Sequence, residues 1–294
     1  MRINTNVSSL VAQESNANTN KTISSSLEKL STGLRINKAS DDASGLSIAD
    51  KLRTQANGLN QAVANGNSAV TLTQIADKAM AEQSNILDVI KQKLIQASTA
   101  TTSSEGIEAI GKDIRKLMDQ VDNIAAQTTY NGTQLLQGTA SAGSTTAGVA
   151  LTFQMGTTSA DTIKTASGVH ANTAGIAELA TVKTGITSAK WSAKADAATN
   201  QSAARALLKN IDSSLTQLNG WRADFGSTQN QLESSIRNLM TQVTNTKAAE
   251  SVIRDVDYAQ ESANFNKQNI ISQAGTYAIS QANSTSQNVM RLLQ

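Results

Sequence analysis

Apolar residues recur at helical spacing over most of the chain, in narrow stripes separated by wide polar faces. Between residues 1 and 36 the apolar side chains stand mostly three, four or seven positions apart. Such spacing predicts an amphipathic helix. A second helical pattern runs through 43–98 and a third through 107–124, and helical spacing returns from 201 onward. The pattern predicts a mainly α protein with long helices.

A short polar break at 37–42 separates the first two predicted helices. It carries Ser40, Asp41 and Asp42, whose side chains are of the types that accept hydrogen bonds from the free N–H groups of a helix's first turn. Two adjacent carboxylates could also form an acid–base pair or a metal site. No His or Cys lies nearby, and neighbouring Asp residues at a helix start do not face each other. We therefore interpret the three residues as a capped hinge.

The middle of the chain shows a different pattern. Residues 149–155 alternate strictly between apolar and small or polar side chains, which predicts a half-buried strand, and the pair Asn131-Gly132 predicts a tight turn. The flanking stretches 139–148 and 156–175 are rich in Gly, Ser, Thr and Ala, and we expect surface loops there. A small β-hairpin region is therefore expected around 130–190.

The 294 residues include no Cys and no Pro. Without Cys, disulfides and thiolate metal sites are excluded, and without Pro only Gly and polar caps can end a helix. Hydrophobic residues make up 39% of the chain and aromatic residues 3%, which is little for a compact globular core. We expect narrow apolar stripes that are buried between helices or against other copies of the chain.

Charge and hydropathy argue against two kinds of partner. The net charge of +2 gives no electrostatic case for nucleic acid, and no apolar run approaches the ~18 to 20 residues of a membrane span. The first ten residues lack the apolar core of a secretory signal. The chain is therefore expected either to stay in the cytoplasm or to be exported without a cleaved signal peptide.

Candidate chemistry is sparse. Residues 106–112 read GIEAIGK and match the phosphate-loop pattern, but Asp113 stands where that loop needs Ser or Thr, and the apolar spacing is helical throughout. His170 is the only His in the sequence, and we expect it in an exposed loop. Since the sequence holds no nucleophile–base arrangement and no metal cluster, we expect neither an enzyme nor a cofactor.

Three stretches carry a close resemblance to a known family. Residues 30–62 read LSTGLRINKASDDASGLSIADKLRTQANGLNQA, which resembles the N-terminal signature of bacterial flagellin, the subunit of the flagellar filament. RADFGSTQNQLESSIRNL at 222–239 and IRDVDYAQESANF at 253–265 resemble the C-terminal part of the same family. The resemblance covers 1–137 and 202–294.

The two amphipathic chain ends look under-stabilised alone, so we expect them to pair with each other. The resemblance implies the same arrangement: an N-terminal helix at 1–42 and a C-terminal helix at 254–294 form one terminal domain, the filament core. A rod-like helical domain with the β-hairpin occupies 43–253. The expected fold is thus mainly α, with long antiparallel helices in a rod-like bundle or coiled coil.

The function implied is a structural one. The chain would be exported without a cleaved signal peptide and would self-assemble into the extracellular, helical flagellar filament used for swimming. Its partners would be many copies of itself, the filament cap, the hook-junction proteins, an export chaperone and the flagellar type III export apparatus. The residues expected to carry self-assembly are the apolar ones of the terminal helices: Val7, Leu10, Leu27, Leu30, Leu34, Ile270, Ile271, Tyr277, Val289, Leu292 and Leu293.

One departure from the family pattern concerns innate immunity. Flagellins that activate the vertebrate flagellin-sensing Toll-like receptor carry a segment similar to LQRVRELAVQ, and residues 87–96 here read LDVIKQKLIQ. Val89 replaces the first Arg, Gln92 the Glu and Lys93 the second Leu. Because lost charges and hydrogen-bonding partners weaken an interface, we predict weak or no receptor activation. This segment most resembles flagellins of the Campylobacter type.

Two alternatives stay open. A hook–filament junction protein shares terminal patterns with flagellin, although the unbroken match at 30–67 favours flagellin. A cytoplasmic coiled-coil scaffold would form a folded dimer with protected ends.

Overall fold

The computed structural model describes residues 5–138, 148, 150–165, 169–187, 191 and 197–292, without side chains at 197, 286 and 289–292. The described helices are α1 (Val7–Thr32), α2 (Ala43–Ala97), α3 (Ser104–Gln127), α4 (Ala177–Thr187), α5 (Ala197–Arg254) and α6 (Tyr258–Leu292). The described strands are β1 (Thr129–Tyr130), β2 (Thr133–Gln134), β3 (Thr152–Gln154) and β4 (Thr162–Lys164). The predicted mainly α class, with long helices and a small hairpin region, is confirmed.

The chain divides into two compact units. Met1–Asn57 and Gln242–Gln294 form one, which we call the terminal unit, and Gly58–Thr241 forms the other, the middle unit. Helices α2 and α5 contribute residues to both. The predicted domain limits at 42 and 253 lie near helix ends instead, and that division of the chain stays a prediction.

The apolar stripe of α3 lies at the centre of the middle unit. Its inward side chains pack in one cluster with those of α2, α4 and α5. The buried members of α3 are Ile107, Ile110, Ile114, Met118 and Val121. They recur every three or four residues, so they lie on one face of the helix and face the core together.

The central part of the chain belongs to this core. In the sequence of 176–200 the Ala content permits a helix, while TVKTGITS at 181–188 favours a strand or loop. The structure places α4 at Ala177–Thr187, with Leu179, Val182 and Ile186 fully or almost fully buried. The indole of Trp191 is buried beside Gly111 of α3, where an added Cβ would lie 2.9 Å from the ring.

The described residues include two short antiparallel strand pairs. Strands β1 and β2 pair antiparallel across Asn131 and Gly132, whose positive φ angles of 48° and 79° suit the mirror-image turn of a two-residue hairpin. Strands β3 and β4 pair with Phe153 opposite Ile163. The predicted alternating strand at 149–155 is therefore shorter than expected, and Val149 lies outside the described residues.

The prediction that His170 lies in an exposed loop is wrong. Its side chain is buried rather than exposed, with 7% of its surface accessible. The chain turns back directly after it, because the side-chain oxygen of Asn172 accepts hydrogen bonds from the N–H groups of Ala174 and Gly175 at 3.1 and 2.7 Å. An added Cβ at Gly175 would collide with the imidazole, so a glycine there lets the loop close over His170.

Candidate functional site

The terminal unit is built on an antiparallel pair of helices, α1 and α6. Near the start of α1 the side-chain amide of Asn6 donates a hydrogen bond to the carbonyl of Ala282, at 3.0 Å. Near its end the hydroxyl of Ser26 donates to the carboxylate of Glu261. Residues early in α1 thus contact residues late in α6, and residues late in α1 contact residues early in α6. The predicted pairing of the two chain ends is therefore present within one molecule.

The contact between these helices follows a regular spacing that sequence analysis missed. On each helix one series of buried or half-buried positions alternates in steps of three and four residues, as in a coiled coil. The series on α1 is Ser9, Ala12, Asn16, Thr19, Ile23, Ser26 and Leu30. The series on α6 is Glu261, Phe265, Gln268, Ser272, Gly275, Ile279 and Ala282. We call these two series the seam.

Most of the large apolar side chains predicted to drive self-assembly lie outside the seam. Their exposed fractions are 62% for Val7, 54% for Leu10, 55% for Leu27, 67% for Ile270, 40% for Ile271 and 73% for Tyr277. Val11, which the site prediction omitted, is 61% exposed. We call these seven residues the outer apolar residues, and the pairing of α1 with α6 leaves them in contact with water.

The other predicted assembly residues have different positions. Leu30 is half-buried in the seam and Leu34 is half-buried just beyond α1. The side chains of Val289 and Leu292, and the whole of Leu293, lie outside the described residues.

At the base of the pair, residues 33–35 run beside residues 253–256, an arrangement that we call the clamp. The backbone N–H of Arg35 donates to the carbonyl of Arg254 at 2.7 Å. The guanidinium of Arg35 donates twice to the carbonyl of Ile253, at 2.6 and 3.2 Å. A charged side chain thus reinforces the backbone contact.

One further hydrogen bond completes the clamp. The N–H of Val256 donates to the carbonyl of Gly33 at 3.0 Å, and together with the bond from Arg35 to Arg254 it forms an antiparallel β-bridge between Leu34 and Asp255. The chain enters the clamp from α1 through Gly33, whose φ of 74° is a conformation that favours glycine at a helix end.

The predicted cap residues have separate roles. Asp42 precedes α2, and its carboxylate accepts a hydrogen bond from the N–H of Gly45 at 2.8 Å. The carboxylate of Asp41 accepts from the N–H groups of Lys38 and Asn37, at 3.0 and 3.1 Å, and these bonds lower the pKa of Asp41 below its ordinary value of 3.8. Ser40 is exposed. Asp42 therefore caps the helix, while Asp41 closes the turn before it.

The three residues of the altered receptor segment lie on α2. Val89 is 40% exposed and Gln92 is also exposed. The ammonium of Lys93 forms an ion pair with Asp113 of α3, with 2.9 Å between Nζ and Oδ2. This face of α2 is therefore accessible in the single chain, and the charge of Lys93 on it is paired with Asp113.

The described residues contain no catalytic arrangement that we could identify. The GIEAIGK segment lies within α3, where Lys112 pairs with Glu108 at 2.9 Å. Among the residues that the structure describes, no three His, Cys, Asp or Glu side chains are grouped so that they could hold a metal, and no helix is long and apolar enough to span a membrane.

Comparison with known proteins identifies the family. The models for the bacterial flagellin N-terminal helical region and C-terminal helical region match residues 3–141 and 208–293. The flagellin of Bacillus subtilis (strain 168) is 36% identical over 306 aligned residues, which cover all of both chains. The chain belongs to the flagellin family.

Other members span the chain to different extents. The flagellar filament 31.3 kDa core protein of Treponema maltophilum is 34% identical over 297 residues, at full coverage of both chains. Flagellin B of Helicobacter pylori (strain J99 / ATCC 700824) is 46% identical over 167 residues, which are 57% of this chain and 31% of that protein. The flagellin family is one of structural proteins, and its members form the extracellular flagellar filament.

A solved structure of a candidate flagellar hook-associated protein from Vibrio parahaemolyticus aligns with a TM-score of 0.57. The alignment covers 73% of this chain and 99% of that one, at 13% identity. At this identity the likeness supports the fold alone.

Proposed function

We propose that the chain polymerises by burying the outer apolar residues of α1 and α6 against neighbouring copies. The chain is a structural subunit of the bacterial flagellar filament, so what needs an account is the surface that joins the subunits. The observation that supports this surface is the exposure of seven large apolar side chains on the paired helices α1 and α6.

The physical argument rests on the cost of that exposure. Complete burial of one Leu, Val or Ile side chain is worth roughly 1.5–3 kcal/mol, and soluble chains rarely expose so many together without a partner. The gain offsets the entropy lost when the terminal helices become ordered in a polymer. Repeated contacts between unlike surfaces build an open helix rather than a closed ring.

A seeded polymerisation assay tests the proposal. Leu27→Asn with Tyr277→Asn removes two outer apolar residues, and Ser24→Asn with Gln273→Asn places the same new side chains at exposed polar positions of the same helices. Filament seeds are added to each chain in salt, and polymer is measured by sedimentation and electron microscopy. We expect the control to polymerise like the native chain, while the apolar variant stays in the supernatant with unchanged helix content.

The same assay separates the alternatives. If the native chain remained a stable dimer with protease-resistant ends and never elongated seeds, the coiled-coil scaffold would be favoured. If it bound only the ends of filaments without adding further copies, a junction protein would be favoured. If the Leu27/Tyr277 variant elongated seeds as fast as the native chain, the proposed surface would be wrong.

We also propose weak or no activation of the flagellin-sensing Toll-like receptor. Val89, Gln92 and Lys93 replace side chains of the activating pattern, and the ion pair of Lys93 with Asp113 occupies the ammonium. A reporter-cell assay compares the native chain with the variant Val89→Arg, Gln92→Glu, Lys93→Leu. We expect higher potency from the variant, and native potency equal to that of an activating flagellin would refute the proposal.

The remaining partners follow from family membership. We propose export without a cleaved signal peptide through the flagellar export apparatus, an export chaperone before assembly, and contacts with the filament cap and the hook-junction proteins. The 46% identity with a Helicobacter flagellin B over 57% of the chain is compatible with a flagellin of the Campylobacter type. Deletion of the export apparatus should retain the chain inside the cell, and secretion without it would contradict this route.

A further inference from the structure

The chain contains four Asn-Gly pairs, which the fold places in different surroundings. In this pair the side-chain amide of Asn is open to attack by the backbone nitrogen of the next residue, because Gly has no side chain to hinder it. The pairs are Asn57-Gly58, Asn65-Gly66, Asn131-Gly132 and Asn219-Gly220. Since the dipeptide is the same in all four, the fold decides which of them can react.

Three of the pairs lie in the interior of long helices. The first two belong to α2, and Asn219-Gly220 belongs to α5. Within a helix the backbone N–H of Gly is bonded to the carbonyl four residues before it, and the fixed dihedral angles hold its nitrogen away from the Asn side chain. Reaction there requires several residues of the helix to unwind first, which is costly in a cooperative structure.

The pair Asn131-Gly132 lies at the tip of the β1–β2 hairpin instead. Each of these strands has only two residues, both residues of the turn are exposed, and a Cβ added at Gly132 would meet nothing within 4 Å. Two-stranded hairpins are marginal on their own, and short exposed segments open locally at low cost. The backbone nitrogen of Gly132 can therefore reach the Asn131 side chain after a small local opening.

Exposure alone does not distinguish this pair from all of the others. Asn219 and Gly220 are also exposed, and a Cβ added at Gly220 would likewise meet nothing within 4 Å. The two pairs thus share their sequence and their contact with water, and they differ in backbone structure. Asn219 is a matched control within the same chain.

We propose that Asn131 is the site of spontaneous deamidation in the native chain. The nitrogen of Gly132 forms a bond to Cγ of Asn131, the bond from Cγ to Nδ2 breaks, and the Gly132 proton leaves with the amide nitrogen as ammonia. Water then opens the five-membered imide ring at one of its two carbonyls. The product is Asp or isoaspartate, with one water consumed and one ammonia released.

The modification changes both charge and backbone. One new carboxylate lowers the net charge from +2 to +1. Isoaspartate also carries the main chain through Cγ, which adds one carbon to the turn. Just beyond the hairpin the N–H of Leu135 donates to the carbonyl of Thr128 at 3.2 Å, and Leu135 and Leu136 are buried in the core of the middle unit. The longer turn therefore loosens the hairpin at its junction with this core.

Ageing of the full-length chain at neutral pH tests the site. Peptide mapping by mass spectrometry gives the deamidation rate at each of the four pairs, in buffer and in guanidinium chloride. In the native chain we expect Asn131 to react at least about tenfold faster than Asn219. In denaturant the four rates should become similar. Equal native rates at Asn131 and Asn219 would overturn the proposal. Deamidation requires no second copy of the chain, so the result does not depend on the proposed function.

Release of ammonia supplies a second test with matched variants. Asn131→Gly removes the reacting amide, and Gly-Gly suits the same two-residue turn. Asn219→Gln changes an exposed helical position in the same way as a control. We expect Asn131→Gly to abolish most of the ammonia released by the native chain, and Asn219→Gln to leave it unchanged. Undiminished release from the Asn131→Gly chain would overturn the proposal.

Hydrogen exchange measures the consequence for the hairpin. The isoaspartate form is separated from aged protein by ion exchange and compared with fresh protein and with Asn131→Asp, which adds the charge without lengthening the backbone. We expect the amide of Leu135 to exchange at least about tenfold faster in the isoaspartate form, and Asn131→Asp to resemble fresh protein. Equal exchange in all three forms would contradict the predicted loosening.

Discussion

Asp122 is the most deeply buried carboxylate of the described residues, with 3% of its surface exposed. It accepts hydrogen bonds from the backbone N–H and hydroxyl of Thr173, at 2.8 and 2.7 Å, and from the ammonium of Lys183 at 2.8 Å. Partial burial lowers the pKa of Lys183, but the hydrogen bonds and charges of Asp122 and Asp119 outweigh it, so that this pKa is raised. This network joins α3 to the loop before α4 and to α4 itself.

The first prediction concerns this ion pair. Lys183→Met leaves the Asp122 carboxylate without its cation, and we expect a loss of about 2 kcal/mol in the free energy of unfolding, because a buried charge without a partner is costly while the partly exposed lysine reduces the effect. Urea unfolding followed by circular dichroism measures it. As a control, Asp119→Asn removes only the exposed 3.2 Å contact and should cost less than about 1 kcal/mol. Equal effects of both substitutions would contradict the account.

The second prediction concerns Asp41 and acid. Hydrogen bonds from Lys38 and Asn37 lower the pKa of Asp41. At a pH above 3.8, the ordinary pKa of an Asp side chain, Asp41 therefore stabilises the turn fully, and this contribution disappears as the pH falls through the lowered pKa. Hydrogen exchange of these two amides, corrected for intrinsic rates, should show protection that is lost in acid. Asp41→Asn should show lower protection at neutral pH and little further change in acid. A native chain whose protection did not depend on pH would refute the assignment.

At the scale of elements, the sequence predicted the long helices well. Their apolar positions repeat every three or four residues, and the sequence has no Pro to interrupt them. The seam was missed because a search for apolar spacing passes over Ser, Asn, Thr and Gly, although Asn16 and Thr19 stand in the same spacing as Ile23. In the two terminal helices, the apolar residues found from the sequence lie mainly on the outer faces of α1 and α6.

The central segment at 169–200 was harder to predict. Its Ala and Thr content suits helix, strand and loop alike, and its place in the core depends on contacts distant in sequence. Gln83 shows this, since its buried amide donates to the carbonyls of Val121 and Ala171 at 3.1 and 2.7 Å. His170 was misplaced because the Gly, Ser, Thr and Ala around it are typical of exposed loops, whereas the turn at Asn172 and Gly175 closes the chain over it.

The third prediction tests the role of α4. Leu179 is fully buried in the core of the middle unit, so Leu179→Ala should lower the free energy of unfolding by about 2–5 kcal/mol. Ile95→Ala on α2 is the control, because that side chain is 49% exposed and its truncation should cost much less. Thermal unfolding by calorimetry measures both. A negligible effect at 179 would mean that α4 is an independent appendage.

At the scale of the whole molecule, the two units differ in where their large apolar side chains lie. The middle unit buries its large apolar side chains in its own core, and nothing further is needed to explain its stability. The terminal unit has a polar seam, a clamp at one end and its large apolar side chains outside. Under the proposed function, other copies of the chain cover these exposed apolar side chains in the filament.

The most direct measurement is chemical labelling of single cysteines before and after assembly. Leu27→Cys and Tyr277→Cys, one per chain, place a thiol at an exposed outer position of each terminal helix in a protein that otherwise has none. A maleimide reagent should label both quickly in the monomer, at least about tenfold more slowly in filaments, and quickly again after depolymerisation. Equal labelling rates in monomer and filament would show that these faces stay in water, and would contradict assembly through the outer apolar residues.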